Sequence, residues 1–388
     1  MTDLSNLNPL LKDDGTIVSG ISVWVHRNEL GGRVWNPAMV WTHKFAVFTQ
    51  VHSLNGLIGL GECWCFDASP DALVAFLRTE VAPGLIGKTL HAAKEHCDHL
   101  LALATLTARH GILSSALSGI DVALWDIAAQ NQDQPLWSTI NPLGRGSAPL
   151  YGSGGLYEKN KSIDNLVNEM RTLADAGFPI VKMKIGGLGV SEDLERISQV
   201  QKVLLKQTKL IIDGVYSYDV ETAEHIFANV DQDGIEAFQS PLPADDVAGM
   251  CNLVRSGVPV MGVEAEYRPQ IQNLLIARRA IKFLQIAPIA CGGITRTIAL
   301  AKKLSRTGIS LSLEVSSTAV ATLISAHLAA AIENIAHVEY HSLHQVFFDR
   351  LGNVGPENPP DNCSLPSRPG LGIDLQGSDV ILMAEIGN

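Results

Sequence analysis

At 388 residues the chain is long enough for two domains of about 150 residues each. Hydrophobic residues make up 46% and charged residues 18%, which fits a packed enzyme and excludes a disordered chain. The 29 Lys+Arg against 40 Asp+Glu leave a net charge of −11, so nucleic acid is excluded as a default partner.

The N-terminal segment MTDLSNLNPLLKDDGT has neither the basic start nor the apolar stretch of a secretory signal. Strand-like runs follow from about 17 to 65: GISVWVH, KFAVFTQVHS and LIGLGECWCF, the last two separated by an Asn55-Gly56 hairpin signal. From about 70 to 130 the texture is helical. Ala116, Ile120, Ala123, Leu124 and Ile127 recur at helical spacing and predict an amphipathic helix over SALSGIDVALWDIAAQ. No uninterrupted apolar run reaches about 18 residues, so no membrane partner is expected. The six cysteines contain no Cys-x-x-Cys pair and read as free thiols in a reducing cytoplasm.

From about 148 a regular beat begins. APLYGSG, FPIVKMKIGG, KLIIDGVY, GIEAFQSPLP, VPVMGVEA, KFLQIAP and ISLSLEV are strand candidates separated by helical segments. That alternation predicts parallel strands joined by right-handed crossovers, in a doubly wound sheet or a closed barrel. The barrel is preferred because polar residues end one strand after another, and in a barrel those ends converge on one mouth. Lys184, Asp213, Gln239, Glu264 and Glu314 keep this beat at intervals of roughly 25 to 30 residues, with one double interval before Glu314. Carboxylate oxygens of Asp213 and Glu264 on neighbouring strands suit Mg²⁺. Lys182 and Lys184 bracket Met183 and share one face; two crowded ammonium groups should depress each other's pKa, so either is a candidate base.

The segments LIGLGE (57–62), SGIDVALWDIAA (118–129), VKMKIGG (181–187), LIIDGVYSYD (210–219), FQSPLP (238–243), PVMGVE (259–264), CGGIT (291–295) and RPGLGIDL (368–375) resemble, in order, the mandelate racemase/muconate lactonizing enzyme branch of the enolase superfamily. The resemblance spans nearly the whole chain. It implies an α/β fold, a modified TIM barrel (β/α)₇β with an N-terminal α+β capping domain. The cap would be residues 1–130, completed by the tail at about 355–388, with the barrel at 131–354. It implies Asp213 and Glu264 as first and third Mg²⁺ ligands, Lys184 as base and Lys182 as the neighbour that lowers its pKa and contacts the substrate carboxylate. A small-molecule carboxylate substrate and a homo-oligomer are likewise implied.

The chain departs from that pattern at three places. The Glu-Glu-Pro motif of the second ligand reads Gln239-Ser240-Pro241, so Gln239 brings an oxygen but no charge, and Mg²⁺ affinity should fall. Glu236 is no substitute, because odd spacing on a strand puts it on the opposite face. The Asn usual two residues after the first ligand is Val215. The second acid/base of the racemases falls on Ala287, and the position where a His often ends the next strand is Glu314, a candidate acid or orienting group. The expected activity is α-proton abstraction through an enediolate, with an acid-sugar dehydratase as the leading reading. A racemase or epimerase of a similar hydroxy acid is the first alternative, and a non-catalytic paralogue with a degraded metal site the second.

Overall fold

The computed structural model describes Leu10 and residues 14–65, 69–341, 343, 363–375 and 380–387. Its first three strands, β1 (Val18–Asn36), β2 (Met39–Ser53) and β3 (Ile58–Cys63), form an antiparallel sheet in the order β1-β2-β3. Asn55-Gly56 makes the turn between β2 and β3, with Gly56 at φ +86° where a side chain would be strained. β1 and β2 extend well beyond the expected runs. Their outer halves form a long hairpin tip that closes where Asn36 Oδ1 accepts the amides of Ala38 (2.9 Å) and Met39 (3.0 Å). This tip reaches the barrel: a Cβ on Gly186 would lie 3.2 Å from Pro37 Cγ.

Helices α1 (Pro70–Phe76), α2 (Leu90–Ala102) and α3 (His110–Asn131) follow. α3 is not amphipathic. It is buried at every residue from Leu113 to Ala129, because the cap sheet covers one side and the barrel the other. It is long and apolar enough to cross a membrane, yet 94% of its most apolar window is buried, as expected of a core helix. β3 lies so close to it that a Cβ on Gly61 would meet the carbonyl of Gly119 at 1.9 Å, which explains the glycines of LIGLGE. Asp126 on α3 binds the sheet to the tail, accepting the amides of Leu60 (2.8 Å) and Leu371 (2.8 Å).

The barrel consists of β4 (Leu150–Ser153), β5 (Ile180–Lys184), β6 (Lys209–Asp213), β7 (Ile235–Gln239), β8 (Val260–Gly262), β9 (Phe283–Ile286), β10 (Ser310–Leu313) and β11 (Ile335–His341). All neighbours pair in parallel and β11 closes on β4. The crossovers are α4 (Ile163–Asp175), α5 (Val190–Val203), α6 (Val220–Ala228), α7 (Val247–Arg255), α8 (Pro269–Arg278), α9 (Gly293–Leu304) and α10 (Ala319–Ala331). This is the (β/α)₇β arrangement; β11 adds the strand that the seven sequence runs omitted. Beyond it, β12 (Val380–Ile386) returns to pair antiparallel with β1, so the tail extends the cap sheet. The expected tail at about 355–388 is described only over 363–375 and 380–387.

Candidate active site

Tyr151, Ile211, Ala237, Met261 and Phe283 pack together in the barrel interior. Two residues beyond Tyr151, Ile211, Ala237 and Phe283 the inward face turns polar. Ser153, Asp213, Gln239, Gln285, Ser312 and Glu339 are all buried there, one layer nearer the C-terminal mouth. Registers align this layer: Asp213 pairs with Gln239, Lys184 with Asp213, and Gln285 with Ser312. Met183, between the two lysines, points the other way into the helix-facing core.

Lys182 is 1% exposed and lies among oxygens. Its Nζ is 2.6 Å from Glu339 Oε1 and 3.5 Å from Asp213 Oδ2, and it donates to Gln239 Oε1 at 3.2 Å. Burial alone would depress its pKa, but the surrounding charges, Glu339 foremost, hold it well above the ordinary lysine value. The expectation that crowding depresses both lysines is therefore corrected for Lys182, whose nearest charged neighbours are carboxylates. It is a fixed cation. Lys184, 13% exposed, pairs with Asp213 Oδ2 and is the lysine that reaches the mouth.

Asp213 ends β6, and its other oxygen accepts the amide of Val215 at 3.1 Å. Glu264 follows β8, and its Oε2 accepts the Tyr216 hydroxyl (2.8 Å) and the Ser240 hydroxyl (2.7 Å). Tyr216 reaches Glu264 because the chain turns left-handed at Val215 (φ 46°) and Tyr216 (φ 60°), and Ser240 is left-handed too (φ 43°). Such conformations in non-glycine residues cost on the order of 1–3 kcal/mol each and mark sites that the surroundings over-determine.

Among the described residues no three His, Cys, Asp or Glu side chains form a metal-holding group, as follows from Gln239 standing in the triplet. Asp213, Gln239 and Glu264 nevertheless offer hard oxygens from three successive strand ends. That donor set fits Mg²⁺, which keeps water and substrate oxygens for its remaining positions. It carries two formal charges, and Lys182 and Lys184 compete for two of its three side chains.

Glu314 lies just past β10, buried, with Oε1 accepting the Ser316 hydroxyl and Oε2 lacking a hydrogen-bond partner among the described residues. Burial, reinforced by the charges of Glu339 and Glu264, raises its pKa well above the usual carboxyl range and favours its protonated form. The segment after it is clamped by the cap. Lys44 Nζ donates to Ser316 O at 2.9 Å, and Glu62 accepts the Ser317 and Thr318 hydroxyls and the Ala321 amide. Ala287 is fully buried and carries no polar group, so the strand-end position opposite offers no acid or base.

The sequence reading missed Glu339, Tyr216 and Glu62. Glu62 and Tyr216 lay inside quoted segments, LIGLGE and LIIDGVYSYD, but nothing in their spacing showed what they touch. Glu339 was missed with its strand: Ile335–His341 turns His337, Glu339 and His341 inward and reads in sequence like a strand with a solvated face.

A profile described as "Enolase C-terminal domain-like" matches residues 165–380, and one described as "Mandelate racemase / muconate lactonizing enzyme, N-terminal domain" matches residues 38–140. The chain is 25% identical to arabinonate dehydratase of Saccharolobus solfataricus over 85% of its own length and 88% of that protein's. It is 26% identical to D-galactarolactone cycloisomerase of Agrobacterium fabrum, covering 88% and 91%. The structure of L-talarate/galactarate dehydratase from Salmonella typhimurium LT2, liganded with Mg and L-lyxarohydroxamate, superposes with a TM-score of 0.85 at 22% identity, covering 96% and 95%. The chain belongs to the enolase superfamily, in its mandelate racemase/muconate lactonizing enzyme branch.

Proposed function

We propose that this protein abstracts the α-proton of a hydroxy carboxylate and eliminates water from the adjacent carbon, as an acid-sugar dehydratase. The observation that carries the reading is the placement of two groups at the ends of strands three places apart in the eight-stranded barrel: Lys184 at the end of β5, 13% exposed, and the buried Glu314 just past β10, whose Oε2 has no hydrogen-bond partner among the described residues. Lys184 in its neutral form takes the C2 proton. The electron pair left on C2 expels the C3 hydroxyl, to which Glu314 gives its proton, so that water leaves. The resulting enol tautomerises to a 2-keto-3-deoxy acid. Lys182, held cationic, places a permanent positive charge where the carboxylate gains negative charge. Mg²⁺ held by Asp213, Gln239 and Glu264 would add Lewis-acid stabilisation of that same charge. Epimerisation is the weaker reading because Ala287 leaves the opposite face without its acid/base. Family likeness also supports a homo-oligomer, which light scattering checks.

The test is proton NMR in D₂O with pooled aldonic and aldaric acids, with Mg²⁺ and again with EDTA. Loss of an α-proton signal together with a new 2-keto acid, only with Mg²⁺, is expected. Exchange with inversion at C2 and no loss of water would instead establish the epimerase.

A further inference from the structure

A cavity of about 670 Å³ lies at the cap–barrel junction, bounded among others by Met39, Trp64, Leu73, Ile112, Ala265 and Ala290. Its barrel side is built from the segments that follow β8 and β9, the strands beside the proposed metal site. Ala265 directly follows Glu264, and Cys291, next to Ala290, donates its thiol to the Glu264 carbonyl at 3.6 Å. Its cap side is fastened to the same segments: the Trp64 amide donates to Ile289 O at 3.1 Å and Ser114 Oγ to Ala290 O at 2.7 Å. Met39 comes from the hairpin tip whose Pro37 lies over Gly186, two residues past Lys184. The cavity therefore adjoins the mouth on the side of Glu264 and Ala287.

Among the described residues, none that lines this cavity is charged. Its polar side-chain groups are the hydroxyls of Ser69, Ser115 and Tyr267, the Cys65 thiol and the Trp64 indole N–H, all uncharged, and the Ser115 hydroxyl is already given to the Trp64 carbonyl. An ionised group seated there would lose its hydration without gaining a counter-charge, whereas an alkyl group would gain contact with Met39, Trp64, Leu73 and Ile112. The volume falls in the range of small-molecule sites.

We infer that this cavity receives the non-reacting end of the substrate, and that the substrate is a 2,3-dihydroxy monocarboxylate with an uncharged, apolar far end rather than a dicarboxylate. The inference rests on the dehydratase reading for which end reacts. It is separable from that reading, because binding and turnover are read independently.

Saturation-transfer difference NMR on the full chain with Mg²⁺ reads binding, and α-proton exchange in D₂O reads turnover, for 2,3-dihydroxyhexanoate, gluconate and galactarate. The expected result is binding and exchange of 2,3-dihydroxyhexanoate, with strongest saturation on its terminal methyl and methylene protons, and at least tenfold weaker response to galactarate. Ile112→Arg should cost the alkyl acid at least tenfold and raise galactarate binding. The milder Ala265→Val should penalise 2,3-dihydroxyhexanoate while sparing 2,3-dihydroxybutanoate. Galactarate or gluconate exchanging faster than the alkyl acid would overturn the inference and leave the dehydratase reading standing; loss of that exchange in Lys44→Met would point to Lys44 as the far-end cation. Tail-directed binding with no exchange of any acid would uphold the cavity assignment and overturn the dehydratase reading. Neither binding nor exchange would overturn both.

Discussion

Two arcs of the barrel mouth, built from the same βα repeat, differ in kind. Strands β5, β6, β7 and β11 present Lys182, Lys184, Asp213, Gln239 and Glu339, while the segments after β8 and β9, past Glu264, present Ala265, Ala287 and Ala290. In the polar arc each buried charge is neutralised by a neighbour a few ångströms away. Lys182 shows the consequence: although fully buried, it is more firmly cationic than a lysine in water. His327 on α10 is buried without a counter-charge among the described residues, and burial lowers its pKa to about 4. The difference teaches that burial drives a group toward its neutral form unless a counter-charge lies within a few ångströms.

The largest expected effect tests the polar arc directly. Lys184→Ala should reduce α-proton exchange by about 10²–10⁴-fold while lowering the melting temperature less than loss of Lys182 does, because Asp213 keeps Lys182 at 3.5 Å as its counter-charge. Glu314→Gln sharpens the assignment. It should cut water loss by about 10²–10⁴-fold yet leave α-proton exchange within tenfold of the parent, seen by following both signals in one NMR sample. If both fall together, Glu314 positions the substrate instead of donating a proton.

Lys182→Met should cost about 3–5 kcal/mol in urea unfolding, because it strands Glu339 as an unpaired buried carboxylate. Lys182→Met combined with Glu339→Gln should recover most of that loss, and failure to recover it would mean that packing dominates over charge.

His327 offers the matching test where no described residue supplies a counter-charge. Its folded pKa of about 4 lies below the unfolded value of 6.5, so between these the unfolded chain binds more protons. Its contribution is full above pH 6.5 and falls away as pH drops toward 4, by about 3 kcal/mol at most. Replacing it, as in His327→Gln, should flatten the stability–pH curve over that window. The smallest effect concerns the metal. Gln239→Glu restores the third charge and should tighten Mg²⁺ binding about tenfold by calorimetry, near 1.4 kcal/mol. Unchanged affinity would show that Lys182 takes up the added charge.

Much of this architecture was legible in the residues. Apolar runs at a steady interval, each ending in a polar residue, describe a parallel barrel whether or not any relative is known, and they pointed to Asp213, Gln239, Glu264 and Glu314. The missed features share a cause. Glu339 sits on a strand whose polar face turns inward, and alternation alone does not tell inside from outside. Tyr216 meets Glu264 only because Val215 and Tyr216 adopt left-handed backbone that their side chains do not favour. The hairpin tip at Asn36–Met39 was absent from the strand reading because the glycines at 31 and 32 interrupt the alternation with a bulge.

By itself, then, the sequence determined the beat of the barrel, the chemistry available at its strand ends and the loss of one ligand charge at Gln239, since these depend on residue type and spacing. Only the tertiary structure decided which lysine is a fixed cation, which carboxyl has its pKa raised by burial and where the cavity lined by uncharged residues lies. Those properties depend on distances between groups far apart in the chain, and on whether the space between them is filled by water or by protein.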